Sequence, residues 1–347
     1  MYYKVTVIIP TYNAEKFIKN AIVSVMNQTL GFENIELILV DDNSTDSTRE
    51  IIKEYSQKYT NIKCFFPKEN SGTPSRGRNI GIDNANSNYI MFLDQDDKYI
   101  NTFCEVMYDT ILKAKTDIVK CQHNLIRNNK YNQSEKDEFI DKTYSIIDPK
   151  SSKKLFLKFM VWENIFNAEF LRKFEIKFPE KYFMEDVYFS IKSYINTDKV
   201  AFLENYVGYE YNVRDNSENP SASNSVTKKL YLNSIESFYL IFDLLKDINR
   251  QDLINCLMKE ILILLIGWFT RLDEDLETKK SILEKLYKLI EDYKFNGKLD
   301  EIWAEIIYYH IKKRNFNIAI LLSKLINLLF NFYFLRKIYR KIYNRYQ

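Results

Sequence analysis

Three carboxylates stand within four residues at Asp94, Asp96 and Asp97, in the run YIMFLDQDDKY, where an apolar stretch ends in like charges. Charges this close repel unless solvent or a cation compensates them. A hard divalent ion, Mg2+ or Mn2+, takes oxygen ligands, commonly one or two carboxylates, with phosphates and water completing its octahedron. Alternate residues of an extended chain face the same way, so Asp94 and Asp96 are the candidate metal ligands. The competing reading is a solvated acidic turn, with Asp97 capping the following helix. A second cluster lies in VDDNSTD, residues 40–46, and beside it stands PTYN, residues 10–13. Tyr12 offers an aromatic face for a base, and Asp41 or Asp42 an acceptor for its ring N–H. The plainer reading of VDDNSTD is a helix start, with Asp46 or Ser47 as cap and Glu50 closing a capping box to Ser47.

These residues need elements that bring them together. From the start to about Cys121, short β-branched runs alternate with helical patterns: VTVII, IELILV, IKCFF, YIMFL and DIVKC are separated by helices, one over about Ser75 to Ala85. That alternation predicts βαβ units and a parallel, Rossmann-like sheet with helices on both faces. Such sheets bind ligands outside the carboxyl ends of their strands, and PTYN, VDD and DQDD all sit at strand ends. No GxGxxG and no GxxxxGK[ST] occurs, so neither a dinucleotide site nor a P-loop is indicated. Residues 122–225 read as a less regular α+β extension, with helices near Leu155 to Met160 and Ala168 to Phe174 and one opening at Glu185. The polar run from Arg214 to Ser225 reads as a linker or loop. From about Lys228 onward, apolar residues at helical spacing with almost no Gly or Pro predict a helical bundle. The expected division is residues 1–225, itself split at 121, followed by a C-terminal helical domain at 226–347.

Taken in order, PTYN, VDDNSTD, NSGTPSRGRNIG (Asn70 to Gly81) and FLDQDD resemble the family 2 inverting glycosyltransferases of GT-A fold, in particular the bacterial type that builds capsules, teichoic acids and other surface glycans. The resemblance spans roughly residues 4–215. It implies that Pro10, Tyr12 and Asp42 hold a nucleotide base and that Asn70 and Arg78 approach base and ribose. It further implies that Asp94 contacts the ribose and that Asp94 and Asp96 coordinate Mn2+ or Mg2+ on the donor diphosphate, most simply that of a UDP-sugar. A metal there would neutralise the charge of the leaving group. Residues 1–121 then form the nucleotide-sugar half and 122–225 the acceptor half. An inverting displacement needs a general base. The family's ED motif maps onto FMEDVYF and names Asp186 as that base, with Glu185 contacting the acceptor or raising the Asp186 pKa by like-charge repulsion. Without the resemblance, two acids at a helix start merely complement the helix dipole. VWENIF places Trp162 at the acceptor side, although Asn164 stands where relatives commonly carry Lys, and a core position for Trp162 is the alternative. YNVRDNS supplies Arg214 and Ser217 as a diphosphate clamp.

Composition limits the remaining classes. Fifty Lys plus Arg against 47 Asp plus Glu give a net charge of +3, no field that selects nucleic acid. Four scattered cysteines form no disulfide framework and fit a reducing compartment, the cytosol. MYYKVTVIIP reads as a first strand rather than a leader, and ILILLIGWF (Ile261 to Phe269) is too short to cross about 30 Å of hydrocarbon. Phe316 to Leu335 is apolar but interrupted by Lys324 and asparagines. From Ile311 onward there are nine Lys or Arg and no acid. That basic, aromatic tail reads as contact with the inner face of an anionic membrane, as a homo-oligomer surface, or as a solvated bundle face. The function expected is transfer of a hexose or N-acetylhexosamine to a glycan or lipid-linked acceptor. An inactive nucleotide-binding scaffold and a sugar nucleotidyltransferase are the alternatives; the second lacks the Gly-rich basic loop such enzymes carry after the first strand.

Overall fold

A computed structural model of the chain describes residues 3–127, 142–213 and 226–331. It forms two compact units, Met1–Ser221 and Ala222–Gln347. In the first unit, β1 (Val5–Thr11), α1 (Ile18–Met26), β2 (Ile35–Asp41), α2 (Thr48–Lys58), β3 (Ile62–Phe65), α3 (Ser75–Asn84) and β4 (Tyr89–Phe92) follow the predicted alternation. β2 and β4 flank β1 in parallel, and β3 extends the sheet beyond β2, also parallel. All seven residues of both β1 and β2 are buried, which is why each reads as a continuous apolar run.

The chain then adds β5 (Lys98–Tyr99), α4 (Phe103–Ala114), β6 (Ile118–Arg127), β7 (Ser145–Ile147), β8 (Asn164–Asn167), α5 (Ala168–Lys173), α6 (Glu185–Asn196) and β9 (Val200–Val213). These extend one nine-stranded sheet in the order β3-β2-β1-β4-β8-β6-β9-β5, with β7 also on β9. β8 is antiparallel to both β4 and β6, so the sheet is mixed. The segment expected as a helix near Leu155 is a 3-10 turn, Lys153–Leu157, and a second such turn, Val161–Glu163, leads into β8.

Two glycines of NSGTPSRGRNIG explain how α3 lies on β1. A Cβ on Gly77 would sit 3.0 Å from that of Pro10, and one on Gly81 would fall inside the Ile8 side chain. Only glycine permits this approach of helix to strand. It carries Arg78 to the loop after β4, where Asp94 lies.

The second unit contains α7 (Lys228–Asp247), α8 (Gln251–Arg271), α9 (Leu276–Asp292), α10 (Ile302–Lys312) and α11 (Phe316–Asn331). Thr227 caps α7 through the Leu230 N–H and Asp275 caps α9 through that of Thr278, the arrangement that short polar side chains provide at helix starts. The sequence stretch judged too short to span a membrane belongs to a 21-residue helix, α8. Among the described residues this one helix is long and apolar enough to cross a bilayer, by length and composition only. It packs against α7, α10 and α11, and 67% of its apolar window is buried inside the unit, as in the core helix of a bundle.

Candidate active site

The acidic loop after β4 is tied to the end of β1 by an amide. Gln95 accepts from the Tyr12 N–H through Oε1 at 2.7 Å and donates from Nε2 to the Tyr12 carbonyl at 3.1 Å. Tyr12 itself is 44% exposed, the accessibility a stacking ring needs. Asn13, at φ +46°, accepts from the Thr45 N–H through Oδ1 at 2.9 Å and joins the loop after β1 to the loop after β2. Its left-handed backbone is one that asparagine tolerates better than most residues.

Asp42 stands at this corner with both oxygens engaged. Oδ2 accepts from the Ser71 N–H at 2.7 Å and from the Ser71 hydroxyl at 2.9 Å, and Oδ1 pairs with Arg76. Asn70 donates to the Asp42 carbonyl at 2.9 Å and accepts from the Gly72 N–H at 2.8 Å. The four residues expected at the base, Pro10, Tyr12, Asp42 and Asn70, are thereby brought to one corner of the sheet. Asp41 is fully buried and paired with Arg49 at 3.0 Å, so of the two aspartates it is Asp42 that faces the corner. The expected capping box is absent: Asp46 accepts from the Thr48 N–H at 3.0 Å, and Ser47 donates its N–H to Glu15, not Glu50.

Arg78 links the loop after β4 to the start of α6. Its Nη2 donates to Asp94 Oδ1 at 2.8 Å and its Nη1 to Glu185 Oε1 at 2.9 Å, while the guanidinium lies 5.1 Å from the Phe178 ring centre. Burial works against this charge, but Asp94 and Glu185 outweigh it and hold the Arg78 pKa above its ordinary value. Asn79 secures the same joint by donating to the Phe178 carbonyl and accepting from the Phe178 N–H, both at 2.9 Å. Just before Glu185, Met184 adopts φ +64°, a conformation that costs a non-glycine residue of order 1 kcal/mol and persists where the surroundings impose it. This turn swings both acids of FMEDVYF into the first turn of α6.

The electrostatics of the two acids differ. Burial raises the Glu185 pKa and Arg78 opposes it. Asp186 is pushed up to about 7, by burial first and then by the Glu185 charge, against the opposing pull of Arg78. A carboxyl titrating near neutrality is suited to accept a proton and give it up again.

Asp97 does not cap the next helix; Thr102 precedes α4. Instead Asp97 is 1% exposed, accepts from the Tyr209 hydroxyl at 2.6 Å and from the Asn212 N–H at 2.7 Å, and so fastens the acidic loop to β9. The Tyr209 oxygen in turn accepts from the Asp94 N–H at 3.2 Å. Burial, with the Asp96 and Asp94 charges behind it, holds the Asp97 carboxyl well above its usual range. Among the described residues no three metal-ligating side chains converge into a protein-only cation site. The set present is the carboxylates of Asp94, 29% exposed in its side chain, and Asp96, which suits an ion whose remaining ligands come from a diphosphate.

Trp162 is 5% exposed and stacks on Tyr209 with ring centres 4.2 Å apart, so it acts as a wall behind the acidic loop rather than an open platform. Next to it, Glu163 pairs with both Lys120 and His123, and the His123 ring stands edge-on to Trp162 at 4.8 Å. Burial disfavours every charge here, yet the partners prevail: Lys120 is raised and Glu163 lowered. Sequence reasoning passed over Gln95, Asn79, Lys120, Glu163 and Tyr209. The one visible signal was Lys120, a cation inside the apolar strand DIVKC. Arg214 and Ser217 lie outside the described residues.

A mixed sheet of this strand order, with acidic and aromatic residues gathered at the carboxyl ends of its parallel strands, defines the GT-A class of fold. The likeness to a solved structure agrees: S. aureus TarS 1–349, in complex with UDP-GlcNAc, has a TM-score of 0.72 at 20% identity over 92% of this chain and 90% of that one. The sequence pattern of Glycosyl transferase family 2 matches residues 6–176, and the chain belongs to this family. Its relatives include a cholesterol galactosyltransferase of Borreliella burgdorferi, 30% identical over 68% of this chain and 67% of that protein. They also include a poly(ribitol-phosphate) beta-glucosyltransferase of Bacillus spizizenii, 30% identical over 63% of this chain. The chain spans 34% of the latter's length, and about a third of several other curated relatives.

Proposed function

We propose that the chain is a metal-dependent inverting glycosyltransferase that moves one sugar from a UDP-sugar to a hydroxyl of a cell-surface glycan or lipid-linked acceptor. One observation carries this reading: a single buried guanidinium, that of Arg78, joins the carboxylate loop to an acid pair whose second member titrates near 7. Leaving-group chemistry and proton abstraction are thereby served by one connected site.

Asp186, ionised, takes the proton of the acceptor hydroxyl. The freed oxygen attacks the anomeric carbon from the face opposite the diphosphate, the carbon–oxygen bond to the diphosphate breaks, and the nucleoside diphosphate departs with the electron pair, which inverts the configuration. Glu185 holds Arg78 in place and, after burial, adds to the rise in the Asp186 pKa. Tyr12 would stack on the base, with Pro10, Asp42 and Asn70 around it. Asp94 and Asp96 would hold Mn2+ or Mg2+, which when bound supplies charge neutralisation for the diphosphate. TarS structures containing UDP and UDP-GlcNAc support the choice of donor. Relatives named for poly(ribitol phosphate) and for cholesterol support a surface or lipid acceptor. Four free cysteines fit a cytosolic site of action.

The test is UDP release from UDP-glucose, UDP-galactose and UDP-GlcNAc with Mn2+, Mg2+ or chelator. The reading expects at least one donor to be hydrolysed only with metal, and Asp94→Ala to remove that activity. Tight UDP binding with no turnover of any donor would instead fit an inactive scaffold, and pyrophosphate release from UTP and a sugar phosphate would fit a nucleotidyltransferase.

A further inference from the structure

Helix α11 is apolar on two opposite sides. Its inward side is Ala319, Ile320 and Ser323, which are 0, 3 and 0% exposed. Its outward side carries Ile318, Leu321, Leu325, Leu328 and Leu329, exposed by 44, 68, 52, 58 and 43%. At 3.6 residues per turn these five fall within an arc of about 100°, opposite Ser323. A surface helix of a water-facing bundle places charged residues there. α11 has one charged residue, Lys324, and it lies beside the stripe rather than in it.

We propose that the outward face of α11 docks on an anionic lipid bilayer. A second copy of the chain fits the face less well on two counts. Sixteen helical residues give a strip about 24 Å long and about 10 Å wide, roughly 240 Å², against the ~800 Å² per partner of a standard stable interface. Ile302, Ile306 and Tyr309, exposed on α10, would roughly double the strip and still leave it short of that size. Charge also opposes self-pairing. Among the described residues from Lys312 to Asn331 four are Lys or Arg and none is acidic, so apposed copies of this helix bring cations together. Arg314 is neutralised by Glu284 at 2.7 Å, but Lys324 belongs to no such ion pair among those seen. A bilayer meets neither objection. Interfacial binding grows with the apolar area inserted and with attraction of basic residues to anionic headgroups, and needs no matched shape.

The experiment is co-sedimentation of the full chain with phosphatidylcholine vesicles and with mixed phosphatidylcholine–phosphatidylglycerol vesicles, alongside sedimentation velocity without lipid. Binding should require phosphatidylglycerol, weaken with salt, and fall by about tenfold or more in Leu321→Ser/Leu325→Ser/Leu328→Ser. Leu325→Ser alone should show part of that loss, with circular dichroism and UDP binding unchanged in both variants. The proposal is overturned if the parent chain ignores anionic vesicles, if the triple variant binds them as well as the parent, or if the three leucines instead abolish a dimer seen without lipid.

Discussion

Arg78 donates to Asp94 and Glu185 at once, from a position 5% exposed in its side chain, so both contacts rest on one buried fork. Lysine has one point charge and lacks the planar fork, so Arg78→Lys should keep one contact and lose the other. Arg78→Ala leaves two carboxylates without their partner and should cost about 3–5 kcal/mol of stability, read from a denaturant midpoint. Asp186 carries the opposite balance. Its native pKa of about 7 lies above the ordinary 3.8, so the folded state holds a proton that the unfolded state has lost. Stability contributed by that proton is present at low pH and is lost as pH rises from about 4 to about 7. In the proposed role as base Asp186 must be ionised, so kcat/KM should rise across the same upper range. Asp186→Asn should therefore be at least as stable as the parent at pH 8 by thermal unfolding, while transferring no sugar. At this scale residue type marked Asp94 and Asp96 as candidates, and the resemblance alone marked Asp186; the structure ties Asp94 and Glu185, the neighbour of Asp186, to Arg78. The sequence was not legible where a common residue acts by position: nothing in Gln95 or Asn79 marks them as clamps, because their partners are backbone groups supplied by the fold.

The elements that position the site fall into two groups. β1 to β4 and α3 are local βαβ units, and the apolar runs of β1 and β2 are strong because both sheet faces are covered. β7, β8 and β9 pair across long separations, and their sequences mix polar with apolar residues and show no clean alternation, although β8 is largely buried. β9 nonetheless fixes the acidic loop, through Tyr209 and Asn212 on Asp97. Tyr209→Phe keeps the ring on Trp162 but removes the hydroxyl shared by Asp97 and the Asp94 N–H. The expected cost is about 1–3 kcal/mol, with a weakened response to Mn2+ measured by calorimetry in the presence of UDP. Gly81→Ala should destabilise by about 1–3 kcal/mol through overpacking against Ile8, and a chemical melt would measure it. Full retention of stability would mean that α3 does not sit as closely on β1 as described.

Across the whole molecule, the first unit carries all the residues to which chemistry is assigned here, and the second is a bundle with an apolar outer helix face. Composition foretold that change of character at about residue 226, because Gly and Pro nearly vanish from there on. Burial of α8 was not legible, since a long apolar helix reads alike in a bundle core and in a bilayer. A donor that binds only the folded chain stabilises it by mass action, by about 2.7 kcal/mol at a hundredfold excess over Kd. UDP with Mn2+ should accordingly raise the Tm of the parent and of Asp186→Asn alike, and raise that of Asp94→Ala less. The most direct test of the central claim compares the parent and Asp186→Asn for UDP binding and for metal-dependent release of UDP from a hydrolysable UDP-sugar, across pH 6 to 9. The account predicts equal binding in both, turnover in the parent that rises with an apparent pKa near 7, and none in the variant. Undiminished turnover in Asp186→Asn would contradict it.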